Sequence, residues 1–137
     1  MRIVKGIAVF VAVVVLALAG WLYFAPPDLI RVGSQYSAKI VCSNVFLAGR
    51  DPDAVLEVDV QAPGHPLLRL MDVSVDRATG VVRAGLFGVF GGGRALHRPG
   101  RGCAAVADGD IDTARAQPSM PPADIAEPGE AAWPDGA

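Results

Sequence analysis

The residues of this chain best suited to covalent or metal chemistry are Cys42, Cys103, His65 and His97. Two thiols can form a disulfide, and thiolates with imidazoles can hold zinc in a tetrahedral site. No two of the four show the close spacing of a zinc finger, so no metal site is predicted. Two readings of the cysteines remain, a bridge or a pair of buried reduced thiols. Gly85, Gly88, Gly91, Gly92 and Gly93 invite comparison with a phosphate-binding loop. Gly88 and Gly93 have the right separation, but Arg94 stands where lysine is needed and Ala95 where a hydroxyl should meet magnesium. Tight packing and turns are the better account, and no cofactor is predicted.

Nucleophiles fare no better. The chain has no Gly-x-Ser-x-Gly elbow and no serine three residues before a lysine. Tyr36 holds that position relative to Lys39, the only lysine beyond the first few residues. Ser37, Ser43 and Ser74 lack an adjacent base in sequence, and a serine without one is a poor nucleophile. Asp51 and Asp53, like Asp108, Asp110 and Asp112, suit helix capping or a linker better than an acid–base pair. Arg94, His97, Arg98 and Arg101 form a small basic cluster, read as a solvated edge or as a contact for lipid head groups or for the acidic tail. No catalytic residue is predicted.

The dominant element is Gly6–Ala25, about twenty residues without a charge. As a helix it spans about 30 Å, the thickness of a bilayer's hydrocarbon core. Arg2 and Lys5 precede it, while Asp28 and Arg31 cancel after it. Positive flanks stay cytoplasmic, so the N-terminus is predicted inside and the bulk exported, in a bacterial inner membrane with the domain in the periplasm. Cleavage is the competing reading, since Ala17-Leu18-Ala19 matches a signal-peptidase site and would release a chain from Gly20. Trp21, Tyr23 and Phe24 favour an uncleaved anchor, as aromatics suit the interfacial belt of a spanning helix. An oxidising compartment in turn favours the disulfide over the free thiols. That bridge would close a loop of some sixty residues, worth roughly 4 kcal/mol by chain entropy.

The predicted architecture is α+β: residues 1–25 a transmembrane anchor or signal peptide, 26–106 a small exported module, 107–137 an acidic Pro/Ala-rich linker or disordered tail. Pro26-Pro27 ends the first helix. Leu29–Lys39 is short and mixed, with Gly33 as a break, and periodicity does not decide whether Ala38–Leu47 is strand or helix. Asp51 and Pro52 mark the start of a short helix. Leu68–Asp76, Val81–Phe90 and Arg94–Arg98 read as a three-stranded antiparallel meander, turning at Arg77–Gly80 and again at Gly91–Gly93, with Gly102–Val106 a continuation of the third strand. Residues 107–137 hold five prolines and seven acids against Arg115 alone, too polar to offset chain entropy by burial. The net charge of −2 gives no case for nucleic acid.

The run Tyr36–Met71, then Val73–Phe90 and His97–Val106, resembles the N-terminal region of exported bacterial serine hydrolases related to penicillin-binding proteins and class C β-lactamases. Ala132–Gly136 is similar to the approach to their catalytic domain. The resemblance covers only the non-catalytic leader, in which Cys42 and Cys103 match family positions. It implies a membrane-anchored or secreted enzyme whose Ser-x-x-Lys motif, tyrosine motif and Lys/His-Thr/Ser-Gly motif lie downstream. The chain is then expected to be an accessory module beside a catalytic domain or adjacent chain, read as a fragment or the first half of a split gene. The alternative from a different class is a complete single-pass envelope protein with a structural or partner-binding role.

Overall fold

The computed structural model describes residues 2–118. Helix α1 covers Arg2–Phe24. Its stretch Ile3–Phe24 is long and apolar enough to cross a membrane, none of it is buried, and by length and composition it suits an anchor or a signal sequence alike. Ala25 to Pro27 then break the chain before α2, Asp28–Ala48.

Helix α2 replaces the short mixed segment, the break at Gly33 and the undecided Ala38–Leu47 of the sequence reading with 21 continuous residues. Its buried face runs Ile30, Gly33, Ser34, Ser37, Ala38, Val41, Cys42 and Val45, a helical spacing carried largely by small residues. Gly33 breaks nothing because it is a contact point, where a Cβ would meet Met71 Cε at 3.0 Å and Leu68 Cδ2 at 3.2 Å. Gly49 ends the helix in the left-handed conformation, φ 65°.

Asp51 caps α3, Pro52–Val55, as its sequence position predicts, its carboxylate accepting from the amides of Asp53 and Ala54 at 3.1 and 3.0 Å. The helix continues as a wider turn over Leu56–Gln61, where Ala62 N–H donates to Glu57 O at 2.9 Å. His65 then caps a short 3₁₀ turn, Pro66–Leu70.

The sheet has four antiparallel strands in the order β1 (Met71–Asp76), β2 (Val81–Leu86), β3 (Phe90–Arg98) and β4 (Gly102–Ala105). The meander stands, with one strand more than the sequence suggests. Gly102–Ala105 reverses to pair with β3, His97 opposite Cys103. Gly91–Gly93 lie within β3 and do not turn; the turn is at Phe87–Val89, while β1 starts only after the 3₁₀ turn. Gly93 explains the difference, because a Cβ there would collide with the Ser34 carbonyl group and the Gln35 nitrogen. Gly91 and Gly93 let α2 cross the sheet at backbone distance.

The inner sheet face presents Met71, Val82, Ala84, Leu86, Ala95 and Cys103 to α2, forming the main core. The outer face carries a smaller cluster of Val81, Leu96 and Val106. Over it lies α4, Ile111–Ala116, packed through Ile111 and Ala114. Residues 107–118, assigned by composition to the tail, therefore belong to the folded module; the expected tail beyond them lies outside the described residues.

Candidate functional site

Cys42, on α2, and Cys103, on β4, are joined by a disulfide with Cα atoms 6.0 Å apart. One turn earlier on α2, Lys39 Nζ donates to the Cys103 carbonyl and to Ser43 Oγ, the latter at 3.2 Å. His97 turns to the same face of the sheet and stacks on Phe46, ring centroids 4.7 Å apart and planes within 3°. Helix and sheet are thus tied three ways at the end of α2 remote from α1. His65 sits at the other end, its Nδ1 accepting from the Leu67 amide at 3.1 Å. The four sequence-level zinc candidates are not brought together, and both sulfurs are consumed by the bridge. Among the described residues no group of three or more His, Cys, Asp or Glu side chains converges to hold a metal.

The serines are occupied structurally. Ser34 Oγ and Ser37 Oγ are buried and donate to the carbonyls of Ile30 at 2.7 Å and Gly33 at 2.8 Å, one turn back on the same helix. Ser43 corrects the sequence reading, since the helix brings Lys39 to it at i,i+4 spacing. That lysine donates to two oxygens, so the pair fastens helix to strand.

The basic cluster is divided by the alternation of β3. Arg94 and Arg98 point to the outer face, while His97 points to the core. Arg94 donates to Gly109 O at 2.5 Å, Arg98 to the carbonyls of Ala114 and Gln117 at 3.2 and 3.4 Å, and Arg101 to Pro118 O at 3.3 Å. The arginines clasp the backbone of residues 109–118, and Arg98 places a cation at the carboxyl end of α4. From the other side Gln35 of α2 grips Arg94, donating to its carbonyl at 2.6 Å and accepting from its amide at 3.2 Å. Asp110 caps α4, and the amide and hydroxyl of Thr113 hold its carboxyl below the ordinary value. The Asp76 carboxyl is likewise lowered, first by Thr79, then by the Ala78 amide and the Arg83 charge.

The remaining candidate surface is apolar. A groove of about 290 Å³ opens between the start of α2 and the 3₁₀ turn, lined by Leu29, Val32, Tyr36, Leu67 and Leu68 with His65 at its edge. Beside it Leu70, Phe87 and Val89 are 45%, 56% and 57% exposed. Such a surface performs no acid–base chemistry; it binds apolar matter. Leu29, Val32 and Tyr36 recur at i, i+3 and i+7, a signal that would have revealed a second helical face had the segment been read as a helix.

Fold and surface together define an apolar N-terminal helix of membrane-spanning length followed by a disulfide-stapled α+β domain. No family model, no curated protein and no solved structure matches the chain.

Proposed function

We propose that the chain is the non-catalytic membrane anchor and accessory module of an exported serine hydrolase of the β-lactamase/penicillin-binding kind. In this reading α1 crosses the bacterial inner membrane with the N-terminus in the cytoplasm, and the domain stands in the periplasm; cleavage near Ala19 would instead release it. The observation that carries the reading is α1 itself: none of its membrane-length stretch is buried, yet it leads directly into a folded domain. The Cys42–Cys103 bridge supports an oxidising compartment. The resemblance of Tyr36–Met71 supplies the class of partner.

The test places a photo-crosslinking residue at Val58 or Gln117, on the domain surface, and treats intact cells with a fluorescent penicillin after crosslinking. A crosslinked adduct carrying the label is expected, with no β-lactam or ester turnover by the purified full chain. Turnover by the chain itself, or folded, oxidised chain with no labelled adduct, overturns the proposal. The second outcome favours a single-pass envelope protein with a structural or partner-binding role, to which the domain's self-contained core also points.

A further inference from the structure

We propose that the end of the domain formed by the start of α2, the 3₁₀ turn and the β2–β3 tip is a lipid-binding rim, seating the domain on the interface of the bilayer that α1 crosses. The inference rests on α1 being in the membrane. Several contacts bring these three segments together. Phe87 N–H donates to Leu70 O at 2.8 Å, Ser34 Oγ lies 3.5 Å from Phe90 O, and Met71 pairs with Leu86. The same end carries exposed Leu29, Val32, Leu70, Phe87 and Val89.

Lipid is the occupant because of where α1 ends. Only Ala25, Pro26 and Pro27 separate α1 from α2, a reach of at most about 11 Å. Leu22 packs against the domain core, and the end of α1 touches β3, the strand that leaves the tip. Trp21, Tyr23 and Phe24, 55%, 58% and 85% exposed, lie where an interfacial aromatic belt would be. The rim continues that belt sideways from the helix. Phe87 is held at φ 52°, a backbone conformation that bulky L-residues rarely adopt, and its ring is left exposed. Arg31 and Arg69, also exposed on these segments, supply cations at the level of lipid phosphates, Arg31 with Asp28 at 4.0 Å.

The experiment reconstitutes the full chain in vesicles containing lipid brominated near the top of the acyl chains, with one tryptophan at a time. Trp21 is retained in Trp133→Phe as the probe of α1. Phe87→Trp, Val89→Trp and, at the remote end, the equally exposed Leu47→Trp are each made on Trp21→Phe/Trp133→Phe. The proposal expects most of the emission lost at 21, 87 and 89 and little at 47. Quenching at 21 without quenching at 87 and 89 overturns the rim and leaves the anchor standing. No quenching at 21 overturns the anchor and the rim with it. Quenching at 47 equal to that at 87 shows embedding without a preferred face, and overturns the rim. Emission at 87 that shifts blue with protein concentration but escapes bromine assigns the rim to a protein contact, again overturning it. Each variant is scored only after non-reducing mobility shows the Cys42–Cys103 bridge; if Phe87→Trp does not oxidise, Val89→Trp decides.

Discussion

Reducing the Cys42–Cys103 bridge should remove a large share of the domain's stability. The two residues lie 61 apart in sequence, so the bridge denies the unfolded chain the freedom of a long loop. Chain entropy for a loop of that length amounts to about 4 kcal/mol at 25 °C. Small domains hold about 5–15 kcal/mol in all, and this one has a single long helix over a small sheet. With a urea slope of about 2 kcal/mol per molar, the midpoint should fall by about 2 M. Reduction is the cleaner perturbation, since alanine at Cys42, fully buried, would add a cavity cost to the lost crosslink. The assay is urea unfolding of the full chain in detergent, oxidised and reduced, read by protection of β2 and β3 amides so that α1 does not contribute. Intact mass before and after reduction should differ by two hydrogen atoms, establishing the starting state. A midpoint shift below about 0.5 M, corresponding to about 1 kcal/mol at that slope, would show that the reduced chain keeps the loop closed by other means.

Four further substitutions separate packing, backbone and charge. Gly93→Ala should cost about 3 kcal/mol, the upper end for overpacking, because its methyl meets the Ser34 backbone and helix and strand must part. Gly92→Ala has open space and should lose only about 1 kcal/mol, for its φ of 56°; equal losses in paired melts would refute the close-approach account. Leu96→Ala removes a side chain 1% exposed beneath α4 and should cost about 2–5 kcal/mol, with faster exchange at Ile111–Ala116; unchanged exchange there would detach α4 from the outer core. The Asp110 and Asp76 carboxyls titrate below the ordinary 3.8 in the folded chain. Their contribution is therefore full above the unfolded value and is lost as pH falls through the folded one. Asp110→Asn retains a capping oxygen but no titration, so exchange protection of α4 should depend less on pH below about 4 than in the native chain; parallel profiles would exclude Asp110.

The membrane-length helix, the Asp51 cap, the β1–β2 turn and the meander were legible because each has a local cause: an apolar run, a carboxylate before proline, an aspartate with glycine downstream, alternation. Helix α2 was hidden because its buried face is built from Gly33, Ser34, Ser37 and Ala38. Residue by residue these read as breakers and polar positions, although their spacing is helical. Gly91–Gly93 resemble a turn in sequence because glycine is usually about conformation, yet they lie within β3. Here Gly93 is about clearance, and clearance is visible only once a helix is known to lie against the strand. Helix α4 was hidden by acidic composition, its apolar signal amounting to Ile111 and Ala114. The arginine clasp was illegible for another reason. It uses backbone carbonyls, which every residue has, so no residue type announces it. The exposed apolar face has a sequence signal in Leu29, Val32 and Tyr36, but only within a helix that Gly33 and the serines disguise.

The two ends of α2 are held by different physics, and this yields a final expectation. The remote end is fixed by the disulfide, by Lys39 bonded to the Cys103 carbonyl and by Phe46 stacked on His97. The end near α1 has no covalent tie. There Gly33 and Gly93 allow backbone-close packing, and Gln35 pairs with the Arg94 backbone through two hydrogen bonds. Reduction should therefore loosen the molecule from the remote end, exposing amides of β4 and the last turns of α2 first. Amides of β3 near Arg94 should outlast those of β4, because Gln35 and the pairing with β2 hold them whether or not the bridge is closed, even though the Arg94 carbonyl also accepts from the Val106 amide just past β4 at 2.9 Å. Hydrogen exchange of the reduced chain in detergent measures this directly. If the Arg94 region opened together with β4, the two ends would form one cooperative unit, and the disulfide would stabilise the end near α1 as well as the one it spans.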